Sequence, residues 1–297
     1  MGTKSEAHVE LTAGRKWLLA ALCLIAGGAA LAARSIPNEG AQIAYSLVVA
    51  AILLGLTAVA MRRPALRPFW PLSFAFFVFA FVQLLNNSVP HYFLANVLHE
   101  APVTGNPLAS SIRGTVIIQL LDTALAIVPI LVLVKASGQS LDSIYASWGR
   151  IGIPLLIAVA GLVLFYVVTA TIPLHRLFPT NGTVTLSRFF SLSPALLVVA
   201  VSNGFQEEFL FRGLFLRRYN TFFGIHVSNV LQAVIFAGAH LGVVYTPVVV
   251  IFTLVIVFPL GLFCGYLMRK SNGIVAPAIF HGAADIAIYL PFFTYVS

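Results

Sequence analysis

The chain has 297 residues, of which 60% are hydrophobic and only 9% charged, and its mean hydropathy is +0.98. A soluble globule of that composition would lack the polar surface to cover its core, so the composition excludes a soluble domain and indicates an integral membrane protein. The net charge of +8 comes with no nucleic-acid-binding motif, so the expected partner is the lipid bilayer and not nucleic acid.

A spanning helix needs about 20 mostly apolar residues. Nine segments qualify in chain order: 17–33, 41–61, 69–85, 115–135, 151–174, 194–219, the short 228–241, 247–268 and 273–293. The expected fold class is therefore all-α, a polytopic transmembrane bundle of about eight or nine spanning helices. Residues 1–16 read as a cytoplasmic N-terminal segment, and the rest as one helical domain in which the N-terminal transmembrane helices of 17–189 brace the transmembrane part at 190–297.

The first segment ends in "AALAARS", which resembles a signal-peptide cleavage site, but its long charged leader and the spans that follow favour an uncleaved helix. "MGTKSE" has Glu6 where a myristoylation signal needs Ser or Thr, so no lipid anchor is expected. With the N-terminus in the cytoplasm, twelve of the seventeen Lys and Arg residues fall on inner segments. Arg34, Arg113, Arg176 and Arg188 fall outside and Arg212 within a helix. That asymmetry supports nine spans with an outer C-terminus, in a membrane taken to be the bacterial inner membrane.

Between the third and fourth spans, residues 86–114 form the longest predicted loop, on the outer side, with His91, His99 and Glu100. No repeat or low-complexity tract is visible. Cys23 and Cys264 lie in predicted helices without metal or redox spacing, as packing residues do.

The later spans hold what the earlier ones lack. Of nine acids, Asp122, Glu207, Glu208 and Asp285 fall within spans, as do His240 and His281 of the seven histidines. A charge at the bilayer centre is disfavoured by about 2.5–3.5 kcal/mol on insertion scales, so such groups face a bundle interior or wet cavity. In "EEFLFR", Glu208 and Arg212 are four apart and share a helical face, leaving Glu207 about 100° away as a free carboxylate. "FAGAH" puts Phe236 and His240 on one face, and "HGAAD" does the same for His281 and Asp285. A carboxylate beside an imidazole fixes its tautomer and raises its basicity. One carboxylate and two imidazoles can activate water and stabilise the oxyanion that forms on a carbonyl.

Small residues flank all three clusters, in "RG", "AGAHLG" and "HGAA", and would let the helices approach closely. At about 1.5 Å of rise per residue, Glu207 lies roughly 20 Å from the outer start of its helix and His281 roughly 12 Å from the inner start of its own. His240 falls roughly 20 Å from its inner start, too far out to meet them unless the seventh helix tilts strongly or begins below the membrane surface.

The ordered set "EEFLFR", "FAGAH" and "HGAAD" resembles the EExxxR, FxxxH and HxxxN/D motifs of the CPBP family, the CAAX protease and bacteriocin-processing (Abi) intramembrane peptidases. The resemblance covers roughly residues 190 to 293. It implies an intramembrane endopeptidase with a conical cavity open to cytosol and lipid, acting on a membrane-associated protein or peptide, such as a prenylated CAAX protein. By motif position, Glu207 would activate water, His240 would assist, and His281 with Asp285 would hold the oxyanion or orient the site. Glu208, Arg212 and Phe236 would support them.

Where prenyl-protein-processing members have Asn, this chain has Asp285. An ionised Asp cannot donate to an oxyanion, so Asp285 is expected to orient His281. Members are described both as metalloproteases and as glutamate proteases. Glu207, His240 and His281 have the ligand types of a zinc site, but no HExxH motif is present, which favours a metal-free carboxylate base over bound Zn2+. Two other classes compete. One is a proton-coupled transporter using Asp122, Glu208 and the histidines as a relay, with Pro129 and Pro259 interrupting two spans. The other is a non-catalytic scaffold or immunity protein.

Overall fold

A computed structural model describes residues 9–100, 109–171, 185–241 and 246–296. Lys4, Glu6, Arg176, Gly242, the middle of the 86–114 segment and the end of the fifth predicted span lie outside the described residues.

Every regular element among the described residues is helical. The helices are α1 (Ala13–Ala32), α2 (Glu39–Arg62), α3 (Trp70–Asn96), α4 (Ile112–Ala136) and α5 (Gly152–Ala170). They are followed by α6 (Leu186–Glu207), α7 (Leu214–His240), α8 (Pro247–Phe252), α9 (Phe258–Ser271) and α10 (Val275–Val296). Seven continuous helical stretches among the described residues are long and apolar enough to cross a membrane, and Gly152–Val168 is a shorter apolar helix. The protein is an all-helical, polytopic membrane protein.

Three boundaries differ from the sequence reading. The third span does not stop at residue 85: α3 runs to Asn96, so His91 is helical and the loop begins only at Val97. The polar residues "NNS" do not end the helix, because Ser88 donates to the Leu84 carbonyl and Asn96 to the Tyr92 carbonyl within it. Glu100 folds back to accept from the Ser111 hydroxyl at the start of α4. Next, α4 passes through Pro129 unbroken, while Pro259 follows a π-turn at Thr253–Val257.

The third difference concerns the sixth and seventh spans, which form one continuous path, Leu186–His240. A π-turn at Glu208–Gly213 joins α6 to α7, and α7 folds back at Gly224, where φ is 73°. A left-handed φ of that size is readily adopted only without a Cβ, so the glycine permits the reversal. Glu207 precedes Gly224 by seventeen positions and His240 follows it by sixteen. The two legs are thus in register, and acid and imidazole meet because the second leg starts at Gly224, before the 228–241 segment read from the sequence.

Phenylalanines of α3 fill the core against the π-turn and the first leg of α7: Phe79 packs edge-on to Phe211 and Phe215, and Phe76 meets Phe215 at 4.8 Å between centroids. Tails of lipid are as apolar as leucine, so packing of this kind, and not exclusion from water, holds such helices together.

Candidate functional site

Close helix approach sets the geometry. At Gly282 a Cβ would stand 2.5 Å from the Ala200 carbonyl oxygen, and Gly204 faces Ala278 and Gly282 from the other side. Glycines at these two positions therefore let α6 and α10 touch backbone to backbone, one turn from Glu207 and beside His281. Gly261 makes room in the same way, since a Cβ there would lie 3.0 Å from Phe236 and 3.3 Å from Arg212. The glycine of "FAGAH" has no such role: at Gly238 the nearest atom is 4.0 Å away.

Glu208 and Arg212 form the pair expected from their spacing, at 2.8 Å with both side chains fully buried. The guanidinium lies over the Phe236 ring, 4.0 Å from its centroid. That ring also packs 4.6 Å from His240 and edge-on to His281, so Phe236 is the wedge that sets both imidazoles. Glu208 Oε1 has a second partner, His281 Nδ1, at 2.9 Å.

Hydrogen-bond chemistry fixes the tautomers. His240 Nδ1 lies 2.9 Å from the Phe236 carbonyl, which can only accept, so Nδ1 carries the proton. The Glu208 carboxylate likewise accepts from His281 Nδ1. Both rings thus present Nε2 to one atom, Glu207 Oε2, at 3.7 Å from His240 and 3.4 Å from His281. With Nδ1 protonated, each Nε2 faces the carboxylate oxygen as a second acceptor, so no direct hydrogen bond joins them and the free acceptors can take protons from a donor placed beside them. Glu207 is 19% exposed against 0% for Glu208, so the two adjacent acids divide into one accessible and one sealed carboxylate.

Asp285 is brought to the site but not in the expected posture. Its Oδ1 is 3.8 Å from His281 Nε2, and its Oδ2 accepts from Asn203 Nδ2 at 2.9 Å. The partner that holds the His281 ring is Glu208, whose Oε1 accepts from Nδ1.

A neutral polar wall escaped the sequence reading. Gln119 Nε2 donates to Gln206 Oε1 at 2.8 Å, Thr123 donates to the same oxygen at 3.1 Å, and Tyr289 reaches Gln119 Oε1 at 3.4 Å. Arg34, read as a topology signal, donates to the Ala239 carbonyl at 3.1 Å and to Gln83 Oε1 at 2.7 Å, bracing the end of α7 next to His240. The available signal was spacing, since Gln119 and Thr123 are four apart, as are Asn203 and Glu207. Asp122 makes no ion pair or side-chain hydrogen bond with Glu208 or either histidine among the described residues; its neighbour across the bundle is Asn86, which donates to its backbone carbonyl.

For zinc, bonds of about 2.0–2.1 Å at tetrahedral angles set ligand atoms about 3.3 Å apart. The Glu207 edges approach that value, but Glu207, His240 and His281 do not close into a mutually adjacent group. The trio within 4.8 Å of one another among the described residues is Glu208, Cys264 and His281. That trio does not fit a dication either, since Arg212 already occupies the Glu208 oxygen that faces His281.

Intramembrane acids and imidazoles of this order along α6, α7 and α10 carry a family pattern. Residues 189–287 match the Rce1-like type II CAAX prenyl endopeptidase family. This CAAX-protease-like segment is a third of the chain and contains all seven site residues; α1 to α5 lie outside it. No curated protein and no solved structure matches the chain.

Proposed function

We propose that the protein is an intramembrane endopeptidase that hydrolyses peptide bonds of membrane-associated proteins, CAAX-type prenylated ones among them, with Glu207 as the base. One observation carries the reading: two imidazoles, each held through Nδ1, direct Nε2 at a single buried oxygen of the partly exposed Glu207 carboxylate. In this reading Glu207 takes a proton from water, whose oxygen attacks the scissile carbonyl carbon. The proton then passes to the departing amide nitrogen as the C–N bond breaks, leaving a carboxylic acid and an amine.

His240 helps hold the water. His281, entering the step protonated on both ring nitrogens, donates its Nε2 proton to the oxyanion while the Glu208 carboxylate accepts from Nδ1 and stabilises the positive charge on the ring. Asp285 and Asn203 border the substrate side, and Gln119, bonded to Gln206 of α6, and Arg34 give the N-terminal helices a part in shaping it.

The test uses the purified full chain in lipid nanodiscs, a fluorogenic prenylated peptide and a membrane-protein library. Cleavage by the unaltered chain and its loss by about 10²-fold or more in Glu207→Gln and His240→Ala is expected, with both variants folded. Undiminished cleavage by folded Glu207→Gln would overturn the assignment of the base.

A further inference from the structure

Away from the site, α1, α2 and α3 enclose a cleft of about 460 Å³ lined by Leu22, Ala26, Ile52, Leu56, Phe69 and Phe76 among others. Its size falls within the ~300–1,000 Å³ range of small-molecule sites. The only hydroxyl in its lining is Ser73. Several of the lining side chains open outward: Ile52 is 57% and Leu56 54% exposed.

One end of the cleft is basic. The α1–α2 hairpin turns at residues 33–38, so the start of α1 and the end of α2 lie at the same, open end. Arg15 and Lys16 sit about one turn from the cleft residue Leu19, Arg62 and Arg63 about two turns beyond Leu56, and Arg67 two positions before Phe69. All five are exposed. Glu10, the described acid nearest in sequence, forms no ion pair with any of them. Trp17, 77% exposed beside them, marks the depth of a membrane–water interface.

We propose that this cleft binds one anionic phospholipid, with an acyl chain between α1, α2 and α3 and the headgroup phosphate held by Arg15, Lys16, Arg62, Arg63 and Arg67. Acyl chains gain nothing from an apolar wall that they do not have in the bilayer, so the cleft supplies shape and position. Selection among lipids comes from the headgroup, because basic residues at a membrane surface attract anionic lipid individually. The site is independent of the peptidase reading, since none of its residues touches Glu207 or the histidines.

Native mass spectrometry of the full chain, titrated with phosphatidylglycerol and phosphatidylcholine of identical acyl chains, tests the site. One phosphatidylglycerol is expected to be retained in preference to phosphatidylcholine. Arg62→Gln, Arg63→Gln and Arg67→Gln should each weaken it by about fivefold, whereas Lys135→Gln should not. Filling the cleft from either side, with Ala26→Phe on α1 or Ile52→Trp on α2, should displace the lipid even with all five charges present. Equal retention of the two lipids overturns the proposal, as does phosphatidylglycerol binding indifferent to whichever cleft-filling variant folds, which would mean diffuse surface attraction only.

Discussion

Gly282→Ala tests the claim that backbone contact between α6 and α10 brings acid and imidazole together. The added Cβ would lie 2.5 Å from the Ala200 carbonyl oxygen, 2.9 Å from its carbon and 3.3 Å from the Val201 Cα, whereas ordinary contact begins at 3.4 Å. All three neighbours are backbone or Cα atoms and cannot rotate away. The helices must therefore separate by about 0.9 Å, the gap between 2.5 and 3.4 Å. Opening of that size carries the His281–Glu207 distance from 3.4 Å to as much as about 4.3 Å.

Two effects oppose each other. Alanine in a helix interior is favoured over glycine by about 0.5–1 kcal/mol. Overpacking costs about 1–3 kcal/mol, and a rigid neighbour puts this site in the upper part of that range. The net expectation is a loss of about 1–2.5 kcal/mol. Gly55→Ala, where nothing lies within 4 Å, should instead gain up to about 1 kcal/mol, so the two substitutions differ in sign. Thermal unfolding in detergent can be followed with a thiol-reactive dye, since Cys23 is 2% and Cys264 0% exposed. Cleavage of the prenylated peptide should fall about 10²-fold alongside. A Gly282→Ala protein stabilised like Gly55→Ala, with its cleavage rate intact, would refute the reasoning.

Glu208→Gln should destabilise by about 3–5 kcal/mol, because it leaves the fully buried Arg212 without a counter-charge, while Glu208→Gln combined with Arg212→Met should recover most of that loss; strict additivity in the same unfolding assay would contradict a buried pair. Dialysis against a chelator should leave peptide cleavage unchanged, with zinc well below one per chain by elemental analysis. Loss of cleavage restored by added zinc would show that Glu207, His240 and His281 close around an ion when substrate or metal is bound.

Composition and periodicity made the helical membrane class legible, because about 20 apolar residues in succession have few other stable arrangements in a bilayer. The four-residue spacing also fixed which polar groups share a face within one helix, so the Glu208–Arg212 pair could be read directly from "EEFLFR". Which face meets which neighbour is a different matter, decided by turns and backbone approaches that depend on residues far apart in the chain. The reversal at Gly224 placed His240 level with Glu207, against the depth counted along a straight helix. Contact at Gly204 and Gly282 sets α6 against α10, and His281 is held through Nδ1 by Glu208, with Asp285 left 3.8 Å from Nε2. The neutral residues Gln119, Asn203 and Gln206 gave no charge signal along the sequence, and only the packing of α4 and α6 joined them into a polar wall. Helical periodicity thus determined the parts of the site that lie on one helix, and the close packing of α6, α7 and α10 decided how those parts face one another.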